Sequence, residues 1–363
     1  MSDDVGIRYS GSVTRTCGLV LAAVLVVGPL AFAVDEPLGV LAWSAGDRVG
    51  LADPLGRWAE TFETGPVGWL YPAPGGVLFA PDLVDGRTSV LDLRKLVVAD
   101  RFEGVMVPWF GELEQRYYVC LPGELLIVSY PDRATIARIE TDVRSPWRFV
   151  VAVDDSSALV LDRSPDGSGE VAMVALDLVA RRQVYRRPLG SEVRHIALSS
   201  TLGVLATADA DASSVTLLEP ASLSTVSAFP VTGAVRDVGF ADDGTTLVAA
   251  VGDDARAEVC AWQLKGGREG LRARRQRCAP LTGSPLRLAV SPDGGRVAVA
   301  TGDGRTSVFG VRRLEVEAWI ETPASVRDLV WIDPTRPGPP VPEWSDDRPP
   351  ELSIGRLPPP PDR

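Results

Sequence analysis

The chain has 363 residues, a formal net charge of −11, 45% apolar residues and 23% charged residues. That length is enough for one large domain with a substantial core. The acidic balance argues against a general nucleic-acid binder, which needs a basic surface, and we expect no nucleic-acid partner. One histidine, four cysteines and no spacing typical of zinc ligands lead us to expect neither a metal nor a cofactor.

The N-terminal residues 1–33 resemble a secretory signal. Arg8 and Arg15 precede the apolar run from Gly18 to Val27, and the small-residue site Ala31-Phe32-Ala33 follows it. We expect either a cleaved signal peptide or a signal anchor, because the stretch Cys17–Val34 is just long enough to span a bilayer. In both cases the rest of the chain is exported, and it is periplasmic or tethered to the membrane facing outward.

A cytoplasmic location is the alternative for this segment. Pro29–Val34 aligns with Pro285–Val290, so it can instead be read as a strand of the fold that follows.

Residues 34–333 repeat about every 40 residues, which is the period of a β-propeller blade. The segments Pro285–Gly304 and Val235–Asp254 both contain an apolar strand, a turn at Asp-Gly, a second apolar strand and a turn after Gly-Asp. Inner strands are predicted to begin near Pro29, Pro66, Val105, Pro146, Val193, Val235, Leu286 and Val326.

The last complete blade shows the predicted plan best. Its four strands are predicted at Leu286–Val290, Arg296–Thr301, Thr306–Val311 and Glu315–Ile320. A propeller has to close its ring, since an open ring leaves sheet edges unpaired. Cleavage after Ala33 removes the first inner strand, and Val326–Ile332 has the pattern to replace it. The sequence therefore predicts an all-β propeller of seven four-stranded blades closed by a C-terminal strand.

The tail of residues 334–363 is rich in proline, including the run Pro358–Pro361. Proline cannot donate to a β-ladder, so we expect a polyproline-like or mostly disordered spacer.

Arginines recur at the starts of the predicted inner strands. Arg148, Arg194, Arg236 and Arg327 each stand before the apolar core of an inner strand, and Arg287 is one residue out of phase. Because inner strands surround the central channel, we expect the four arginines to gather near one mouth. They form a site for a carboxylate, a phosphate or an acidic peptide. The alternative is that each arginine pairs with a neighbouring carboxylate such as Asp237 or Asp328.

His195 is the only histidine, and any catalytic triad would have to use it. It lies in an inner-strand pattern with no nucleophile motif nearby, so we interpret it as a packed or hydrogen-bonded structural residue. Asp237 and Asp328 occupy equivalent inner-strand positions and are the nearest candidates for a carboxylate pair of the glycosidase kind.

Two of the four cysteines fall on neighbouring predicted strands. Cys260 and Cys278 form a disulfide in an oxidising compartment if they face each other, and otherwise they are two small core residues. Cys120 lies alone in an apolar strand and is predicted to be a buried thiol.

The segments Val326–Trp331, Val235–Phe240 and Ser291-Pro-Asp-Gly resemble the inner strand and following turn of WD-repeat proteins. They are also similar to bacterial propellers of the lactonase-like, surface-layer type. The Gly-His and Trp-Asp dipeptides of WD repeats are missing, and Phe309-Gly310 stands where Trp-Asp is expected.

This resemblance implies a binding platform without catalytic residues, and we expect a protein or acidic peptide as its partner. A propeller hydrolase of the lactonase or glycosidase kind and a cytosolic WD-repeat-like scaffold are the alternatives.

Overall fold

A computed structural model of the chain forms a β-propeller. The structure describes residues 39–82, 87–103, 108–110, 116–129, 134–152, 155–164, 170–190, 193–210, 213–241, 244–253, 255–266 and 270–333. These residues form strands and turns without any helix, so none of them belongs to a helix that could span a membrane. The predicted signal or anchor of residues 1–33 and the proline-rich tail of residues 334–363 lie outside the described residues and stay predictions.

The strands form seven antiparallel four-stranded sheets, which are the blades. Blade 1 begins with β1 (Val40–Ala45), β2 (Arg48–Ala52) and β3 (Ala59–Glu63). Blade 2 consists of β4 (Tyr71–Ala73), β5 (Val77–Asp82), β6 (Arg87–Asp92) and β7 (Val97–Glu103). Blade 3 consists of β8 (Pro108–Phe110), β9 (Arg116–Leu121), β10 (Glu124–Ser129) and β11 (Thr135–Glu140). Blade 4 consists of β12 (Pro146–Val151), β13 (Ser157–Arg163), β14 (Val171–Asp177) and β15 (Arg182–Gly190).

The remaining blades follow the same plan. Blade 5 consists of β16 (Val193–Ser199), β17 (Val204–Asp209), β18 (Ser214–Leu218) and β19 (Thr225–Pro230). Blade 6 consists of β20 (Val235–Ala241), β21 (Thr246–Gly252), β22 (Ala257–Lys265) and β23 (Arg272–Pro280). Blade 7 consists of β24 (Pro285–Val290), β25 (Arg296–Thr301), β26 (Arg305–Gly310) and β27 (Glu315–Glu321). The strand β28 (Asp328–Ile332) completes blade 1.

The closure of the ring confirms the predicted C-terminal strand. β28 pairs antiparallel with β1, from Val40 opposite Ile332 to Ser44 opposite Asp328, and becomes the inner strand of blade 1. The two ends of the described propeller are therefore joined by a backbone ladder within one sheet.

The core lies between neighbouring blades rather than at the centre. Second strands are buried on both faces, as in β21, and their sequences are nearly continuous runs of Val, Leu and Ala. Outer strands such as β27 are mostly exposed. This gradient reflects the stacking of twisted sheets around a channel, in which each blade buries its two faces against its neighbours.

The turn residues account for the tight connections in blade 7. Gly294 and Gly304 have φ values of +68° and +85°, which L-residues with a Cβ rarely adopt. The Gly294 N–H donates to the Ser291 carbonyl at 2.8 Å, which closes the turn between β24 and β25. The Asp-Gly dipeptides of the repeat therefore mark true turns, in agreement with the predicted blade plan.

Candidate binding site at the channel

An irregular register marks the start of the inner strands in four blades. The pairing shifts between Pro146 and Arg148 in β12, between Val193 and His195 in β16, between Val235 and Asp237 in β20, and between Pro285 and Arg287 in β24. A β-bulge places one extra residue in the strand and re-aims the side chains that follow it. The extra residues are Trp147, Arg194, Arg236 and Leu286.

This bulge corrects the predicted alignment of the arginines. Arg148 does not stand at the position of Arg194 and Arg236, because Trp147 occupies that position in blade 4. Arg287 is out of phase with Arg194 and Arg236, as predicted, but it shares its position with Arg148. The grouping of Arg148 with the other three arginines was therefore wrong by one residue.

The residues that follow the bulge form a layer of charged and polar side chains inside the channel. We name Arg148, His195, Asp237, Arg287 and Asp328 the channel ring. Asp328 opens β28 opposite Ser44 and occupies the same place in blade 1.

Arg148 and Asp328 form an ion pair across the channel. The Arg148 Nη2 donates to Asp328 Oδ1 at 2.9 Å, although the two residues are 180 positions apart in sequence. Their side chains are only 13% and 2% exposed. Burial acts to lower the pKa of Arg148, but the charges of Asp328 and Asp237 raise this pKa by more than burial lowers it. The pKa of Arg148 therefore lies above its ordinary value. The Arg148 guanidinium also lies 4.2 Å from the ring centroid of Trp69, within cation–π range.

Asp237 and His195 form the second contact within the ring. The His195 Nδ1 lies against Asp237 Oδ1 and is 3.2 Å from the Val238 carbonyl oxygen. Both neighbours are acceptors, so Nδ1 carries the proton. Burial raises the pKa of Asp237, but the charge and hydrogen bond of His195 and the nearby guanidiniums outweigh burial, so this pKa lies below its ordinary value.

Each ring carboxylate also fastens one blade to the next. Asp237 Oδ2 accepts the Leu288 N–H of blade 7 at 2.9 Å, and Asp328 Oδ2 accepts the Leu70 N–H of blade 2 at 2.8 Å. A buried carboxylate that accepts a backbone N–H and faces a cation is fully satisfied. The channel ring therefore holds neighbouring inner strands together, and the predicted pairing of arginine with Asp328 applies to Arg148.

Three arginines lie one step further towards the mouth where the inner strands begin. We name Arg194, Arg236 and Arg327 the mouth arginines. Arg194 and Arg327 are exposed and Arg236 is half-buried. The Arg236 Nε donates to the Gly252 carbonyl at 3.3 Å, and the Arg327 carbonyl accepts a hydrogen bond from Arg287 Nε.

Arg287 is buried within the ring and lies close to two other guanidinium groups. Burial lowers its pKa and the ring carboxylates raise it, while the guanidiniums of Arg148 and Arg194 lower it. The net pKa lies below the ordinary value, chiefly because Arg287 is buried.

The chain is similar in structure to several solved proteins whose printed descriptions differ. A functionally unknown protein from Desulfotomaculum acetoxidans superimposes with a TM-score of 0.60 and 10% identity, over 82% of this chain and 99% of that one. Hydrazine synthase from Kuenenia stuttgartiensis gives a TM-score of 0.57 at 16% identity, over 74% of this chain and 90% of that one. The β-propeller domain of Cps50 (Swd1) from Myceliophteria thermophila gives a TM-score of 0.56 at 12% identity, over 76% of this chain and 92% of that one.

These likenesses show the fold and nothing more specific, because the identities are so low. No protein-family model matches the chain, and no curated protein matches it either. The WD-repeat-like architecture is thus shown, while a relation to the lactonase-like subtype stays a prediction. Function has to be argued from the ring, the mouth and the channel of this chain itself.

Of the two interpretations of Cys260 and Cys278, the structure has the disulfide. Cys260 in β22 lies directly opposite Cys278 in β23, and the structure joins them by a disulfide. Glu258 lies beside the two sulfurs and completes the one group of three potential metal ligands among the described residues, but sulfurs that share a disulfide are not thiolate ligands. Cys120 is a buried free thiol whose burial raises its pKa.

Proposed function

We propose that this protein is a non-catalytic binding propeller that takes an acidic segment of a partner protein at the mouth arginines. The observation that carries the proposal is the state of Arg327. Its side chain is exposed, and none of the described residues forms a hydrogen bond or ion pair with its guanidinium. Arg236 contributes one hydrogen bond to a carbonyl and has no carboxylate partner in the described chain.

A row of cations at one mouth of an acidic protein supports recognition of an anion. Guanidinium groups bind carboxylates through paired hydrogen bonds, and repeated groups at equivalent blade positions suit an extended acidic peptide. The overall charge of −11 repels acidic partners elsewhere on the surface, so attraction is local to this mouth.

The state of the ring carboxylates favours binding over hydrolysis. A general acid needs a carboxyl whose pKa is raised, and a hydrolytic pair needs free oxygens beside the substrate. The pKa of Asp237 is lowered, and both Asp237 and Asp328 direct their oxygens to backbone N–H groups and cations. A lactonase- or glycosidase-like activity remains the alternative function.

We further propose that the propeller acts outside the cytoplasm. The signal-like N-terminal segment and a disulfide between facing cysteines support this location. The intact mass of the protein from separated cytosolic, membrane and extracytoplasmic fractions tests it. We expect a species that lacks residues up to about Ala33, or a full-length species in the membrane, with the Cys260–Cys278 bond formed. A full-length cytosolic protein with free thiols would favour the cytosolic scaffold.

Binding of a fluorescein-labelled deca-glutamate peptide tests the mouth arginines directly. The double variant Arg236→Ala/Arg327→Ala is expected to weaken binding about tenfold or more, and added salt is expected to weaken binding to the native protein. The matched control is Arg48→Ala/Arg313→Ala, which removes two exposed arginines from outside the channel. Equal binding by the two double variants would overturn the proposal.

A further inference from the structure

The channel contains a cavity on the far side of the channel ring from the mouth arginines. The cavity encloses about 640 Å³. Its wall runs from Arg148, His195 and Asp328 of the ring to Asp333 at the end of the last inner strand. Volumes of about 300–1,000 Å³ are typical of small-molecule sites.

The wall of this cavity is mostly apolar. The wall is lined by leucine, valine, alanine and proline side chains in or next to three inner strands. They are Leu70, Pro72, Ala73, Leu288, Val290, Pro292, Leu329 and Val330. Arg148, His195 and Asp328 lie at the ring end, and Asp333 lies at the opposite end. This is the usual composition of a ligand pocket, in which a few polar groups orient an apolar body.

The ring end offers one cation and one imidazole to an occupant of the cavity. Arg148 uses Nη2 for Asp328, and no described residue pairs with its Nη1. His195 uses Nδ1 for Asp237 and Val238, and its Nε2 likewise has no partner in the described part of the chain. Both side chains line the cavity.

Arg148 is the ring cation that lines the cavity. Arg148 and Arg287 carry two positive charges, and Asp237 and Asp328 carry two negative charges, so these four charges balance.

We propose that the cavity is a binding site for a small organic acid, whose carboxylate accepts a hydrogen bond from Arg148 and whose apolar body fills the channel. The site is separate from the mouth arginines, and it does not depend on the function proposed for them. The acid binds without a covalent step, and its affinity comes from a charge-assisted hydrogen bond and the burial of apolar surface.

Calorimetry with naphthalene-2-carboxylate and its uncharged isostere 2-naphthamide tests the proposal on the full chain. We expect one molecule of the acid per protein and at least about tenfold weaker binding of the amide, since the two ligands differ only in charge. Equal affinities, or no binding of the acid, would overturn the proposal.

A blocking variant shows where the acid binds. Pro72 is exposed and lines the cavity, so Pro72→Trp fills the channel without disturbing the core. Pro230→Trp is the control, because Pro230 is an exposed proline of the outer strand β19. We expect Pro72→Trp to abolish binding of the acid and Pro230→Trp to leave it unchanged. If both variants weaken binding equally, the acid binds elsewhere and the proposal fails.

The acidic deca-glutamate peptide separates this site from the mouth. Pro72→Trp is expected to retain peptide binding, whereas Arg236→Ala/Arg327→Ala is expected to retain binding of naphthalene-2-carboxylate. Loss of both ligands in both variants would show that the cavity and the mouth are one site, which contradicts the proposal.

Discussion

Residues of the channel ring and the mouth arginines are adjacent in sequence but differ in how far they are exposed to solvent. Arg327 is exposed, whereas Asp328 has a side chain only 2% exposed and contacts both Arg148 and the Leu70 N–H. In blade 6, Arg236 is half-buried and the adjacent Asp237 is buried, so the difference in exposure is smaller there. One peptide step therefore separates a residue that links blades from a residue that faces solvent.

The comparison teaches how a propeller combines stability and recognition on the same strands. In β16 and β20 the bulge turns an arginine towards the mouth and the next side chain into the channel, so these two strands supply both layers. The ring carboxylates bind backbone N–H groups and cations between blades, while Arg327 of the mouth layer stays exposed. Substitutions at adjacent positions can therefore test the two roles separately.

The largest effect is expected for Asp328→Ala. This variant leaves Arg148 buried without its carboxylate and removes the acceptor of the Leu70 N–H. Breaking a buried ion pair by removing one partner typically costs about 3–5 kcal/mol of unfolding free energy. Urea denaturation of the purified variant measures this loss.

The adjacent substitution Arg327→Ala is the control for Asp328→Ala. Arg327 is exposed, so its removal is expected to change the unfolding free energy by less than about 0.5 kcal/mol. Similar losses in the two variants would show that the ring and the mouth are not distinct layers.

An intermediate effect is expected from Asp237→Asn, and it depends on pH. The pKa of Asp237 in the folded protein lies below its ordinary value of 3.8, because His195, Arg287 and Arg148 outweigh its burial. The stabilisation is therefore complete above the unfolded pKa and is lost as pH falls through the folded pKa.

Urea denaturation at several pH values below 5 measures this dependence. The native protein is expected to lose stability more steeply below about pH 4 than Asp237→Asn does, by up to about 1.4 kcal/mol per pH unit for one proton. Parallel stability curves for the two proteins would contradict the role given to the Asp237 carboxylate.

The repeat predicted the blades because each blade is a local pattern. In blade 7 the predicted strand Arg296–Thr301 matches β25, and the segment Val326–Ile332 contains β28. Such patterns consist of alternating apolar residues and turn glycines, and they can be recognised within a short stretch of sequence. The closure of the ring followed from the need to pair the edges of blade 1.

The ring could not be predicted in the same way. The Arg148–Asp328 pair joins residues 180 positions apart, and no local pattern relates them. The bulge also obscures which arginines occupy equivalent positions in different blades. Arg148 directly precedes the apolar residue Phe149, whereas His195 lies between Arg194 and the apolar core of its strand. A count made from Pro146, Val193, Val235 and Pro285, which all open their strands, would have aligned Trp147 with Arg194 and Arg236.

The double variant Arg236→Ala/Arg327→Ala is expected to have the smallest effect on stability and the largest effect on peptide binding. Arg236→Ala/Arg327→Ala removes one hydrogen bond to the Gly252 carbonyl and no ion pair of the described residues. We expect its melting temperature to fall by no more than about 5 °C, because removal of exposed Arg327 changes stability by less than about 0.5 kcal/mol and loss of the hydrogen bond of half-buried Arg236 costs about 1 kcal/mol. Thermal unfolding followed by circular dichroism measures this. A collapse of melting would show that the mouth arginines also hold the blades together, and the loss of peptide binding would then reflect unfolding rather than a missing contact.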